Sequence, residues 1–168
     1  FIDGIDGLLC GVMIVVFVTI NGEFHYLLPF IGALTAFLIY NWQPSKLFMG
    51  DSGSLFIGSY FASLSFTAAN EIIFFKNLLL FSPLFFDCII TIIWRIKNKQ
   101  NIFSPHKLHL YQRLVSSGMS HSKVSLIYIS AVSFLGLLYN FNNIKGLIIG
   151  SLIILLIGIV MNKKLAIT

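Results

Sequence analysis

Charge is what this sequence has least of. Only 10% of its 168 residues are Asp, Glu, Lys or Arg, and six of them are acidic. A water-soluble domain carries about 25% charged residues, so a globular domain with a large core is excluded. Cysteine is nearly absent too. Cys10 and Cys88 both lie in apolar runs, which leaves no disulfide framework and no cysteine-based metal spacing. No internal repeat, low-complexity tract or secretory signal pattern is present. The first residue is Phe1 and a motif follows at once, so a C-terminal part of a longer protein is expected. The formal net charge of +5 comes from basic residues gathered in a few loops, which argues against a nucleic-acid partner.

What is abundant is apolar: 57% of the residues are hydrophobic and 15% aromatic, with a mean hydropathy of +0.91. Six apolar runs approach the ~20 residues that cross a bilayer. They are Leu8–Ile20, Leu27–Tyr40, Leu55–Ala69, Leu78–Trp94, Val124–Tyr139 and Leu147–Met161, with ends free to move by a few residues. In lipid only helices satisfy the backbone of such segments. The expectation is therefore an all-α, polytopic integral membrane protein, one transmembrane domain over residues 1–168 with about six spans.

Basic residues orient it. Numbering the connections alternately puts Lys46, Arg95, Lys97, Lys99, Lys107, Arg113, Lys123, Lys163 and Lys164 on one side, and only Lys76 and Lys145 on the other. Nine against two makes the first side cytoplasmic. Asp3, Asp6, Asp51, His106 and His109 all fall on that same side, although nothing in the span assignment forces it.

Three polar motifs stand there. "FIDGIDGLLCG" (1–11) spaces Asp3 and Asp6 three apart, on one side of a helix start, each followed by a glycine that lets a ligand or backbone come close. Metal or phosphate chemistry is one reading; a solvated helix cap is the plainer one. "FMGDSGSL" (48–55) sets Asp51, Ser52 and Gly53 before an apolar helix, whose free N–H groups suit an anion beside a carboxylate suited to Mg²⁺. Here the alternative is that Asp51 merely caps the helix. "NIFSPHKLHLYQRLV" (101–115) gathers His106, Lys107, His109 and Arg113, a cationic cradle for a diphosphate or a set of headgroup contacts. His106-x-x-His109 without cysteine or carboxylate nearby is poor zinc spacing. Asp87 lies within the fourth run, four residues after Pro83. A carboxylate there is either functional or an interhelical hydrogen-bond partner. Glu23, His25 and His121 read as solvated, and Trp42 and Trp94 as interfacial anchors.

In this order the three motifs resemble the C-terminal half of the polyprenyl-phosphate N-acetylhexosamine-1-phosphate transferases, glycosyltransferase family 4. "DGIDGL" (3–8) is similar to the family's DGxDGL segment and "FMGDSGSL" (48–55) to its most recognisable motif. "SPHKLHLYQRL" (104–114) is similar to its histidine motif, commonly Pro-Asp-Arg-x-His-x-His-His. Here His106 stands for the Asp, Lys107 for the Arg, and Tyr111 and Gln112 stand where further histidines are common. That pattern is closer to the O-antigen-initiating branch than to phospho-MurNAc-pentapeptide translocase. The family's adjacent aspartate pair, which lies earlier in its chains, is absent.

The resemblance implies transfer of a sugar-1-phosphate from a UDP-sugar to undecaprenyl phosphate with release of UMP, using Mg²⁺ or, in its place, Mn²⁺. It implies a bacterial inner membrane and active-site loops facing the cytoplasm. Asp51 and Asp6 become metal ligands, with Asp3 and Asp6 supporting the metal or phosphate site. His106, Lys107, His109, Arg113, Ser52 and Gly53 become substrate-binding residues. A homodimer stays open. Two rivals stay open as well: a transporter or channel segment with Asp87 on an ion path, and an inactive remnant of a transferase.

Overall fold

Eight α-helices and no strand occupy the described residues of the computed structural model, which are 4–22, 25–102, 104, 106–141 and 143–166. They are α1 (Leu8–Ile20), α2 (Leu28–Asn41, entered through a single 3-10 turn at His25–Leu27), α3 (Gly50–Phe66), α4 (Glu71–Leu80), α5 (Ser82–Lys97), α6 (Leu110–Ser116), α7 (His121–Asn140) and α8 (Ile144–Ala166). The all-helical expectation holds, and the first apolar run coincides with α1 residue for residue. Asp3 and Glu23 lie outside the described residues.

The expected fourth span, Leu78–Trp94, is not one helix. It breaks at Phe81, where α4 and α5 meet at a bend of 71°. Pro83 explains the break: it has no N–H to donate, so it is tolerated only in the first turn of a helix and starts α5 there. Leu78–Leu80 therefore belong to α4, which begins earlier, where the Asn70 side chain accepts a bond of 2.9 Å from the N–H of Ile73. Helix lengths also differ from six full spans. α7 and the Ile144–Lys164 stretch of α8 are long and apolar enough to cross a membrane, and the bent α4–α5 pair makes a third if it counts as one span. α1 and α2, with 13 and 14 residues, are only about 20 Å long. Apolar runs were legible in the sequence; the points at which the backbone turns inside or beside them were not.

α1 is the central helix. Leu8, Leu9, Cys10, Val12, Met13, Val16, Phe17 and Ile20 are buried over more than half of its circumference, while Val18 is exposed, with α7 as its most extensive neighbour and α2 next. Two glycines let α1 and α7 approach. A Cβ on Gly11 would lie 2.4 Å from Ile129 Cδ1, and one on Gly136 would lie 2.7 Å from Thr19 Oγ1. Small residues at a helix interface are the means by which membrane helices pack without a hydrophobic driving force between them. Gly11→Leu is accordingly expected to lower stability by about 1–3 kcal/mol through overpacking, read as a lower melting temperature in detergent. An unchanged melting temperature would show that α7 can move aside freely. The outer surface is apolar, with Leu55, Phe66, Ile93, Ile149 and Leu156 exposed, as befits side chains that face lipid.

Candidate functional site

The segment that enters α1 is held by packing on its glycines. Gly7 has φ +72°, the left-handed region open to glycine, and a Cβ there would lie 2.6 Å from Cε3 of Trp42. A Cβ on Gly4 would lie 2.8 Å from Oη of Tyr111. What comes close to these glycines is thus the side chains of the 42–49 loop and of α6. Asn41, buried at the end of α2, accepts a bond of 3.1 Å from Gly7 N–H and donates one of 2.9 Å to the Leu47 carbonyl. The start of α1 and the loop that leads into "FMGDSGSL" are joined through that one amide.

Asp6 ties in a third element. Its carbonyl accepts a bond of 2.8 Å from Ser125 Oγ on α7, and its carboxylate accepts one of 3.4 Å from Ser45 N–H. His121, the first residue of α7, places Nδ1 3.4 Å from the same carboxylate. The expectation that His121 is simply solvated is therefore corrected: it is half-buried against Asp6, because the turn before α7 returns to the entry of α1. Next to it, Ser122 N–H donates 2.8 Å to the Gln43 side chain.

Asp51 is placed differently. It stands in the first turn of α3, after Gly50 at φ +66°, and its carboxylate is exposed. It makes no hydrogen bond or ion pair with any described residue. Met49 holds the cap position and no side chain caps the helix there, so a hydrogen-bonded cap is not Asp51's role. Ser52 is exposed beside it. Ser54 Oγ donates 3.2 Å to the Asp51 carbonyl, and Gly53 packs on Met49, whose Cγ lies 2.6 Å from its Cβ position.

The histidine segment hangs from one face of α5. Asp87, Thr91 and Arg95 recur every four residues and share that face. Asp87 accepts bonds from Leu110 N–H at 2.8 Å, from the Tyr128 hydroxyl at 3.2 Å and from the Thr91 hydroxyl at 3.5 Å. Arg95, only 2% exposed, donates to the Ser104 carbonyl at 3.1 Å, to Ser104 Oγ at 2.7 Å, to the Ile102 carbonyl at 3.4 Å and to the Asn101 carbonyl. One residue of α5 thus holds the connection just after α5, and another holds the start of α6. Sequence reasoning counted Arg95 only toward membrane orientation, although its four-residue spacing from Thr91 and Asp87 was visible.

His109 is buried, its ring stacked on Tyr111 at 5.4 Å and tilted against His106 at 4.9 Å. Its backbone N–H donates 3.3 Å to Gln112 Oε1, so Gln112 caps α6. His106 is half-buried. Burial, then the charges of Arg95 and His109, hold its pKa below the ordinary value of 6.5, so it is neutral near pH 7 and adds no charge to a cradle. His106→Gln is therefore expected to keep anion affinity at pH 7.5 within about threefold of wild type, well short of the factor of ten that 1.4 kcal/mol represents, measured as inhibition by UMP. A larger loss would mean that His106 binds as a cation. Lys107 is exposed, and Arg113 bonds Asn162 of α8, which draws it from the cradle toward the helix bundle.

Among the described residues no three of His, Cys, Asp and Glu surround one ion. Magnesium is commonly held by one or two carboxylates together with substrate phosphates and water. Asp51, exposed and unpartnered, fits such a role; Asp6 already has Ser45 and His121 as neighbours.

Comparison with known proteins follows the motifs. The family described as glycosyl transferase family 4 matches residues 1–69. A probable undecaprenyl-phosphate N-acetylglucosaminyl 1-phosphate transferase of Bacillus subtilis is 37% identical over 152 residues, 80% of this chain and 41% of the relative. The chain belongs to glycosyl transferase family 4. Within the family it is also similar to a decaprenyl-phosphate N-acetylglucosaminephosphotransferase of Mycobacterium tuberculosis, 33% identical over 76% of this chain and 39% of the relative. A phospho-N-acetylmuramoyl-pentapeptide-transferase of Carboxydothermus hydrogenoformans is 30% identical over 75% of this chain and 41% of the relative. The chain spans about two fifths of the length of these relatives. No solved structure matches it significantly.

Proposed function

We propose that this chain carries part of the active site of a transferase that moves an N-acetylhexosamine-1-phosphate from a UDP-sugar to undecaprenyl phosphate, releasing UMP. The observation that carries the reading is convergence. The "DGIDGL" segment meets the histidine helix through Gly4 and Tyr111, and meets the loop leading to Asp51 through Asn41 and Ser45. Two of the motifs thereby touch, and the loop that leads into the third is joined to them. The nine basic residues assigned to the motifs' side support a cytoplasmic placement, where a nucleotide sugar and a lipid phosphate of the inner leaflet can meet.

The chemistry asks little of a general base. The second pKa of a phosphate monoester is about 6, so the lipid phosphate is largely dianionic. One of its oxygens attacks the sugar-linked phosphorus, the bond from that phosphorus to the bridging oxygen breaks, and UMP leaves with the oxygen and the electron pair. The protein must bring two anionic groups together and stabilise charge on the leaving group. Asp51 would hold Mg²⁺, and Asp6 belongs to the same motif set. Held there, such an ion would supply positive charge to offset the repulsion between the phosphates and the charge on the leaving group. His109 and Lys107 would meet the diphosphate, while Ser52 and Gly53 line the start of α3 beside Asp51.

Asp87 speaks against the transporter reading. Four neighbours engage its carboxylate, so it serves the site's architecture. The test is UMP release by membranes carrying the full-length gene product, given undecaprenyl phosphate, Mg²⁺ and a panel of UDP-N-acetylhexosamines. N-acetylglucosamine comes first because the names of the Bacillus and Mycobacterium relatives carry it. Lipid-dependent release with one sugar is expected; no release with any sugar would sink the reading.

A further inference from the structure

His109 poses a problem of its own. It is 3% exposed, and neither ring nitrogen makes a well-formed hydrogen bond with a described residue, the Gln112 N–H facing the ring only as the loose half of a capping box. A buried polar group without a partner forfeits its solvation, so such a ring is costly unless something meets it. Nδ1 faces Asp87 Oδ1 at 3.8 Å, within ion-pair range but too long for a hydrogen bond. Nε2, on the far side of the ring, has no such neighbour among the described residues. Asp87 is itself fixed from three directions, by Leu110 N–H, Tyr128 and Thr91. It is therefore the rigid member of the pair.

We propose that Asp87 is a positioning residue for the transfer reaction: its carboxylate orients His109 through Nδ1 and turns Nε2 toward the phosphate that leaves. A carboxylate on one imidazole nitrogen settles which nitrogen carries the proton and stabilises the imidazolium. Asp87 Oδ1 also accepts from Leu110 N–H, one residue after His109, so a single oxygen fixes both the backbone and the ring of the histidine segment. His106, half-buried, packs against the His109 ring at 4.9 Å, and in this scheme a ligand reaches Nε2 when His106 moves aside. Asp87 touches no substrate in this scheme and acts only through His109. The proposal rests on the transferase reading, and its test separates the two.

Asp87→Asn keeps an oxygen for Leu110 N–H and removes the charge that faces His109. In the full-length gene product its kcat for UMP release is expected to fall by about 10- to 100-fold, the range for losing a group that orients a functional histidine. KM for the UDP-sugar should stay within twofold. The fall should nearly vanish when Asp87→Asn is added to His109→Asn, because the two residues act as a unit. Additive losses, or full turnover by Asp87→Asn, would overturn the proposal. If Asp87→Asn does not accumulate in the membrane, Asp87→Glu keeps the charge but moves it by one methylene, and the same kcat loss and the same coupling to His109 are expected. A wild type that releases no UMP would sink the transferase reading alone. The pairing would then be decided by ¹⁵N-histidine spectra of the purified protein, with the His109 signal assigned from His109→Asn. That signal should shift in the Asp87 variant, and an unmoved signal would overturn the pairing.

Discussion

Asp51→Asn in the full-length gene product is expected to lower UMP release by about 10²- to 10³-fold, the loss typical of removing one group that stabilises transition-state charge. Helix content and melting temperature should not change. Both halves of this expectation come from the same observation. The Asp51 carboxylate is exposed, in the first turn of α3, and engages no described residue, so its replacement breaks no contact within the fold. Asparagine keeps the shape and one oxygen but removes the charge that makes the group a ligand for a hard cation. Raising Mg²⁺ should recover part of the loss if the residue acts through the ion. A variant with full activity would reduce Asp51 to a favourable charge at a helix start, worth about 0.3–1 kcal/mol. A variant that fails to fold would show a structural contact with a part of the protein beyond these residues.

The sequence revealed the motifs more readily than the connections between them. Alternation of apolar runs and basic loops was enough for an all-helical membrane protein, and α1 could be bounded to the residue because Gly7 and Asn21 flank an unbroken apolar stretch. The break at Phe81 needed more weight on Pro83, whose missing N–H ends one helix and begins the next. Asp51 and the "DGIDGL" segment stood out because carboxylates beside glycines are conspicuous in an apolar chain. Asn41 did not stand out. Its importance lies in two backbone partners, Gly7 and Leu47, and a side chain's partners are a product of folding. His121 was passed over for the same reason, since 115 residues separate it from Asp6. In α5 the signal was present but divided. Asp87 was noticed as an intramembrane charge and Arg95 as a loop charge, and only their common four-residue period joins them to one task.

That period bears on the second large effect, expected for Arg95. Arg95→Ala should cost about 100-fold in turnover, the scale on which a displacement of about 1 Å at a catalytic group is felt, although Arg95 is assigned no contact with substrate. Its guanidinium bonds the carbonyls of Asn101, Ile102 and Ser104 and the Ser104 hydroxyl, and so folds the connection back onto α5 before the chain reaches His106. Without it these acceptors lose their partner, while the start of α6 stays anchored at Asp87. Lysine should not restore function, because an ammonium lacks the planar fork that reaches several acceptors at once. Trypsin supplies a second readout: cleavage after Lys99 or Lys107, both exposed, should quicken in Arg95→Ala and in Arg95→Lys. If Arg95→Lys recovers both turnover and resistance to trypsin, a positive charge at this helix end is sufficient and the fork geometry is not what positions the histidines. If turnover falls while trypsin resistance holds, Arg95 acts on the phosphates themselves, and the division of labour along α5 has to be redrawn with Asp87 alone as the anchor.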